Sequence, residues 1–300
     1  MGGRLVAVNG IELWVEQFGA AEAAPVARPG IVLVSGAASA SDWWDDALCE
    51  ALAADGHRVT RYDLRDTGQS TTCPLGAPDY TGNDLVGDLA GLVRALHGGR
   101  AHVVGLSLGG GLAQQLAIAH PELVVSLVLF STSPGGPDSD GLPPMSPALA
   151  AAFAEPQPET DWSDRDAVFR AVLRDERLFG GVLAVDEGRI RRISDRIVDR
   201  SIDLAAGANH WAIPSASGTR AQLAEVAAPT LVVHGTADPL FPIGHGEALA
   251  REIPDARLLP VPGLGHQFPP PETWALIVPA VLAHVAGAEA GSAGPSSAAV

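Results

Sequence analysis

Three hundred residues, 47% hydrophobic and 18% charged, suffice for one large domain, or one domain carrying an insertion, whose core needs no staple. The formal charge of −16 disfavours nucleic acid as a partner, and all 19 basic residues are arginine, which excludes Schiff-base lysine chemistry, a P-loop lysine and a Ser–Lys dyad. No uninterrupted apolar run of about eighteen residues marks a membrane span, and no apolar leader follows Met1, so a soluble cytoplasmic chain without a membrane partner is expected.

Short apolar runs alternate with amphipathic stretches, which predicts βα units, an α/β fold and a mostly parallel sheet. The first strands, 5–8 and 12–18, have no helix between them and should pair as an antiparallel hairpin at one edge. Helix 41–54 follows strand 31–35, and helix 80–96 follows strand 58–62. Strand 101–106 leads into helix 108–119, and strand 124–130 completes the first part of the core, 1–132. The rhythm breaks over 133–217, where a Pro/Gly-rich stretch precedes helical segments near 163–175 and 186–205; this reads as a helical insertion on the catalytic face. In that second segment Arg189, Arg191, Arg192, Arg196 and Arg200 alternate with Asp186, Glu187, Asp195 and Asp199, the pattern of a solvated, self-paired face. The core resumes over 218–286 with strands 230–234 and 257–261 and helices 242–252 and 271–285. A flexible tail is expected over 287–300. Cys49 and Cys73 form no CxxC pair and read as free thiols.

Gly105-Leu106-Ser107-Leu108-Gly109 fits G-x-S-x-G between an apolar strand and a helix. Such a reversal strains the central residue and exposes its hydroxyl, and the helix start supplies free N–H groups beside it. A serine hydroxyl needs a base. His266 follows the last strand in Pro262-Gly263-Leu264-Gly265-His266, and Asp238 follows the strand before it, giving the chain order nucleophile, acid, base. Asp138 and Asp140 are the alternative acids, while His234 and His245 read as packed histidines. The backbone N–H groups of Leu108 and of Ala37, in Ser35-Gly36-Ala37-Ala38-Ser39, are the candidate oxyanion donors. No two histidines stand at i, i+2 or i, i+4, so no metal site is expected, and acyl transfer to water needs no cofactor. Trp162, Trp211, Phe153 and Phe179 lie in the insertion, and Phe241 and Phe268 flank the acid and base loops. Trp162, Trp211, Phe241 and Phe268, with His210 as a hydrogen-bonding group, are the candidate substrate contacts. One of Trp43 and Trp44 is expected to line the acyl pocket, and Asp63, Arg65 and Asp66 to brace the loop after the fourth strand.

The elbow, acid loop and histidine loop resemble the α/β-hydrolase superfamily over nearly the whole chain. Glu12-Leu13-Trp14, the block Arg61-Tyr62-Asp63-Leu64-Arg65-Asp66-Thr67-Gly68-Gln69-Ser70-Thr71-Thr72, and the two loops carrying Ser107 and His266 also resemble the aclacinomycin methylesterase group, which acts on anthracycline-type polyketides. The block from Arg61 to Thr72 is the most specific part, since most relatives carry Arg-Gly where this chain has Arg65-Asp66. Ser35-Gly36 departs from the common His-Gly entry to the oxyanion loop. The resemblance implies an eight-stranded α/β-hydrolase fold with a helical cap and a carboxylic methyl esterase acting on a small-molecule ester. It leaves open the oligomeric state and two alternatives: a hydrolase of a lactone, C–C bond or peracid using the same triad, and a non-catalytic binding protein.

Overall fold

The computed structural model describes residues 2–19, 28–135, 140–156 and 158–292. Eight strands form one sheet: β1 (Arg4–Val8), β2 (Ile11–Phe18), β3 (Gly30–Val34), β4 (Val59–Tyr62), β5 (Ala101–Leu106), β6 (Val124–Phe130), β7 (Thr230–Gly235) and β8 (Ala256–Val261). Their spatial order is β1-β2-β4-β3-β5-β6-β7-β8. β2 pairs antiparallel with both β1 and β4, and every other pairing is parallel, so the expected edge hairpin is present.

The side-chain alternation of the strands divides the core into two layers. Val32 and Val34 face one layer with Val103, Leu127 and Leu129, packed against α2 (Gly82–Leu96) and α3 (Leu108–Ala119) through Leu85, Leu89, Leu92, Leu112 and Leu116. Ile31 and Leu33 face the other with Val104 and Val128, packed against α1 (Asp46–Ala53) through Leu48 and Leu52. Thr81 and Asp84 form a capping box that starts α2 one residue after its cap. The helix expected over 41–54 is split: a 3-10 turn, Ser41–Trp43, precedes α1, because Trp44 between them is extended.

Between β6 and β7 lie α4 (Pro147–Ala154), α5 (Arg165–Phe179), α6 (Glu187–Arg200) and a 3-10 turn, Ala206–Trp211, with no strand among the described residues. The face of α6 corrects the expectation of a solvated surface. Arg189 binds Asp45 at 2.7 Å, Arg196 binds Asp42 and Asp46 at 3.1 and 3.0 Å, and Arg200 reaches Asp42 and Asp63 at 2.6 and 2.7 Å. Arg191 keeps the expected i, i+4 pair with Asp195 at 3.0 Å. Spacing along a helix is the same whether the partner is on it or across an interface.

α7 (Gly244–Glu252) precedes β8, and α8 (Trp274–Ser292) closes the second layer with Ile277, Val281 and Val285. By length and composition Pro271–Gly291 could cross a bilayer, yet that stripe is packed against the sheet. α8 also corrects the start of the tail: 287–292 is helical, and Glu289 binds Arg28 at 2.6 Å. The rest of the expected tail, 293–300, lies outside the described residues.

Candidate active site

Ser107 stands at the junction of β5 and α3 with φ +53° and ψ −115°, a left-handed backbone held on both sides. Its N–H donates to Phe130 O at 3.0 Å, and its carbonyl accepts from Thr132 Oγ1 at 2.8 Å and Gly111 N at 3.1 Å. The flanking glycines are set by close approach: a Cβ on Gly105 would lie 2.2 Å from Gly109 O, and one on Gly109 would lie 2.4 Å from Val34 O.

The loops after β7 and β8 bring the other two groups to this turn. His266 Nε2 lies 3.0 Å from Ser107 Oγ, and its Nδ1 lies 3.0 Å from Asp238 Oδ2. The other Asp238 oxygen accepts the N–H groups of Leu240 and Phe241 at 2.9 and 2.8 Å, which fixes the carboxylate. A carboxylate only accepts, so His266 carries its proton on Nδ1 and turns a lone pair to the serine hydroxyl. The insertion reaches the same histidine: Phe179 O accepts its backbone N–H at 2.8 Å. The rings of Phe241 and Phe179 lie 5.2 and 6.1 Å from the imidazole, and Phe153 lies 5.9 Å beyond Phe179. This arrangement can move a proton from Ser107 Oγ to His266 Nε2.

The alternative groups are placed elsewhere. His234 Nε2 donates to Phe241 O at 2.7 Å, and His245 bonds Ser133 Oγ and Pro143 O at 2.9 and 2.8 Å, so both are packed as expected. Burial holds both imidazoles below their ordinary pKa. The Asp140 backbone carbonyl accepts from Arg220, and Asp138 lies outside the described residues.

The loop after β3 passes beside the elbow, where a Cβ on Gly36 would lie 3.6 Å from Ser107 Cβ. Ala37 lies on that loop, and Leu108 opens α3 directly after Ser107. Ala38 donates to His210 Nδ1 at 2.9 Å, and His210 Nε2 donates to Arg65 O at 2.8 Å. His210 is buried and has no ring nitrogen left for a substrate, which corrects that expectation. Phe268 is corrected too: it is 5% exposed and packs between Trp43 and Trp44, at 5.8 and 5.0 Å, inside the core. Those tryptophans are buried with it. Trp211 is 72% exposed and Trp162 44%, and neither makes a ring contact with the groups around Ser107 among the described residues. Among the aromatic candidates Phe241 is the one that the fold sets against His266, joined by Phe179, whose place depends on a contact no spacing encodes.

Asp63 and Asp66 do brace the loop after β4. Asp63 accepts from Ser41 N at 2.8 Å, and Asp66 accepts from Tyr80 Oη at 2.6 Å and Asn209 Nδ2 at 2.9 Å. At the other end of the strands the fold gathers His57, His102 and Glu289, whose candidate ligand atoms lie within 4.8 Å of one another. Arg28 already neutralises that carboxylate, and His102 Nδ1 bonds Ser126 Oγ at 2.8 Å.

The pattern of the α/β hydrolase fold family matches residues 29–269. Rhodomycin D methylesterase DauP of Streptomyces sp. (strain C5) is 30% identical over 282 residues, covering 89% of this chain and 92% of that protein. Rhodomycin D methylesterase DnrP of Streptomyces peucetius is 28% identical over 281 residues, again covering 89% of this chain and 92% of its own. Among solved structures, the enol-lactonase from Burkholderia xenovorans LB400 superposes with a TM-score of 0.68 at 25% identity, over 94% of this chain and 100% of that one. With the elbow, the strand order and the matched span in agreement, the chain belongs to the α/β hydrolase fold family.

Proposed function

We propose that this chain hydrolyses carboxylic esters, and that its substrate is the methyl ester of a bulky, polyketide-like acid. The observation that carries the reading is the unbroken relay of two 3.0 Å contacts, Ser107 to His266 to Asp238. Ser107 Oγ attacks the ester carbonyl while its proton passes to His266 Nε2. The N–H groups of Ala37 and Leu108 take the negative charge on the carbonyl oxygen. Collapse breaks the bond to the alkoxy group, which leaves as the alcohol with the proton from His266. Water then attacks the acyl-enzyme, giving its proton to His266, and the acid is released as Ser107 recovers it. Asp238 holds the imidazole in the required tautomer and offsets its transient charge.

The insertion over 133–217 acts as a cap, with Phe241, Phe179 and Phe153 stepping outward from the base as apolar walls for a large planar acyl group. The names of the two methylesterases support the methyl ester. The same relay opens lactones, and the likeness to the enol-lactonase makes an enol-lactone the second substrate to try.

The test is a panel of p-nitrophenyl esters, polycyclic methyl esters and an enol-lactone, turned over by the wild type and by Ser107→Ala. Loss of turnover by a factor on the order of 10⁶ in the variant is expected. Equal turnover in both proteins overturns the nucleophile. A kcat/KM far higher for small aliphatic esters than for polycyclic ones overturns the substrate class.

A further inference from the structure

The loop after β3 keeps a conformation that its own residues disfavour. Ser39 donates its N–H to Gly36 O at 3.3 Å, closing a β-turn with Ala37 and Ala38 at its centre. Ala38 has φ +56°, while Ala37 is absent from the left-handed residues. That pattern is a type II turn, whose third position favours glycine because a Cβ crowds the backbone there. Rotation of the Ala37–Ala38 peptide would return Ala38 to negative φ in the commoner type I turn. Two contacts oppose the rotation: Ser39 Oγ donates to Ala37 O at 3.1 Å, and Ala38 donates to His210 Nδ1 at 2.9 Å.

His210 is itself held. Its Nε2 donates to Arg65 O at 2.8 Å, so the ring is neutral and keeps a lone pair on Nδ1, and burial favours that neutral form. The turn that carries it lies against Ala38, since a Cβ on Gly207 would come within 3.1 Å of Ala38 Cα. Asn209 ties the same turn to the loop after β4, donating to Asp66 Oδ2 at 2.9 Å and accepting from Gly76 N at 2.7 Å.

We infer that His210 is a positioning residue for the oxyanion loop: by accepting the Ala38 N–H it pins the turn that carries Ala37 to the insertion, and so holds that donor in place. The inference rests on ester hydrolysis at Ser107 as proposed above. The insertion thereby reaches the oxyanion site without touching the substrate there, because the turn that carries the donor is fixed to the insertion at the next residue, by the His210 bond and by Gly207 against Ala38.

The experiment measures kcat and KM on a p-nitrophenyl ester for the wild type, His210→Ala, His210→Asn and the double variant His210→Ala/Ala38→Gly. Loss of one oxyanion donor costs roughly 10²–10³ in turnover, so its misplacement in His210→Ala should lower kcat about ten- to hundredfold with KM within about threefold. Asparagine offers an oxygen near the position of Nδ1 and should restore most of the loss. Glycine at 38 eases the left-handed backbone but restores no bond to the insertion, so the double variant should stay within about threefold of His210→Ala. A raised KM with kcat kept, His210→Asn no better than His210→Ala, or full recovery by glycine at 38 alone overturns the inference and leaves His210 as a packing residue. Histidine ¹⁵N NMR on the wild type reads the contact apart from activity: a neutral, Nε2-protonated His210 supports it, and an Nδ1-protonated or cationic ring overturns it. A wild type that cleaves none of the panel overturns the esterase reading and the catalytic part of this inference, and the spectrum still decides the hydrogen bond.

Discussion

At the scale of single residues, the elbow separates glycines that are required from one that is not. Gly105→Ala sets a Cβ against the Gly109 carbonyl at 2.2 Å, and the obstacle is backbone. We expect it to destabilise the protein by about 1–3 kcal/mol and to lower turnover, read by urea midpoints and ester hydrolysis. Gly111 sits inside α3 with nothing within 4 Å of an added Cβ. Gly111→Ala should stabilise by about 0.5–1 kcal/mol, and an equal loss in both variants would show that crowding is not what selects glycine at 105. That Ser107, Asp238 and His266 would meet was legible in the sequence because each follows a strand, where strand endings can be read from apolar runs. His210 and Phe268 were misjudged because their partners, Ala38, Arg65, Trp43 and Trp44, are more than a hundred residues away and no local pattern names them.

Among the elements, α6 shows how far charge periodicity can mislead. Its arginines alternate with carboxylates as on any exposed helix, yet Arg189, Arg196 and Arg200 fasten the insertion to the turn before α1 and to β4's following loop. Asp42 and Asp63 have no side-chain exposure, so Arg200→Ala would take the cation from buried Asp63 and leave Asp42 to Arg196. That variant should lose about 3 kcal/mol or more by denaturant titration. Arg191→Ala, which breaks the half-exposed pair with Asp195, should lose less than about 0.5 kcal/mol. Equal losses would mean that α6 does not latch the insertion. The type of each element was clear from its period, but its neighbour across an interface was not, because spacing of 3.6 residues describes one helix and nothing beyond it.

The molecule as a whole carries an acid limit in its buried histidines. Burial pushes His97 down to about 4 from 6.5, with Arg58 adding to it, and burial pushes His102 down to about 4 although Glu289 pulls the other way. Unfolded, each would bind a proton near 6.5, so between these values the unfolded chain holds more protons than the native one. Their stabilisation is present above about pH 6.5 and is lost as pH falls toward 4, by about 3 kcal/mol each. Urea midpoints at pH 7 and pH 4.5 check this, and midpoints that do not fall would refute it. At this scale the parallel sheet and its edge hairpin followed from strand and helix alternation, whereas the meeting of His57, His102 and Glu289 depends on a strand order that alternation does not encode. That order also aligns Asp66, Ala38, Ser107 and Ser131, left-handed residues following β4, β3, β5 and β6, along one rim of four adjacent strands. A laboratory selection for heat resistance alone would be drawn to glycine at 38, where an alanine Cβ opposes the left-handed backbone, and held back at 66, where Asp66 also binds Tyr80 and Asn209. Asn9 and Asp255 are left-handed too, in the turns before β2 and β8, and engineering for durability belongs there.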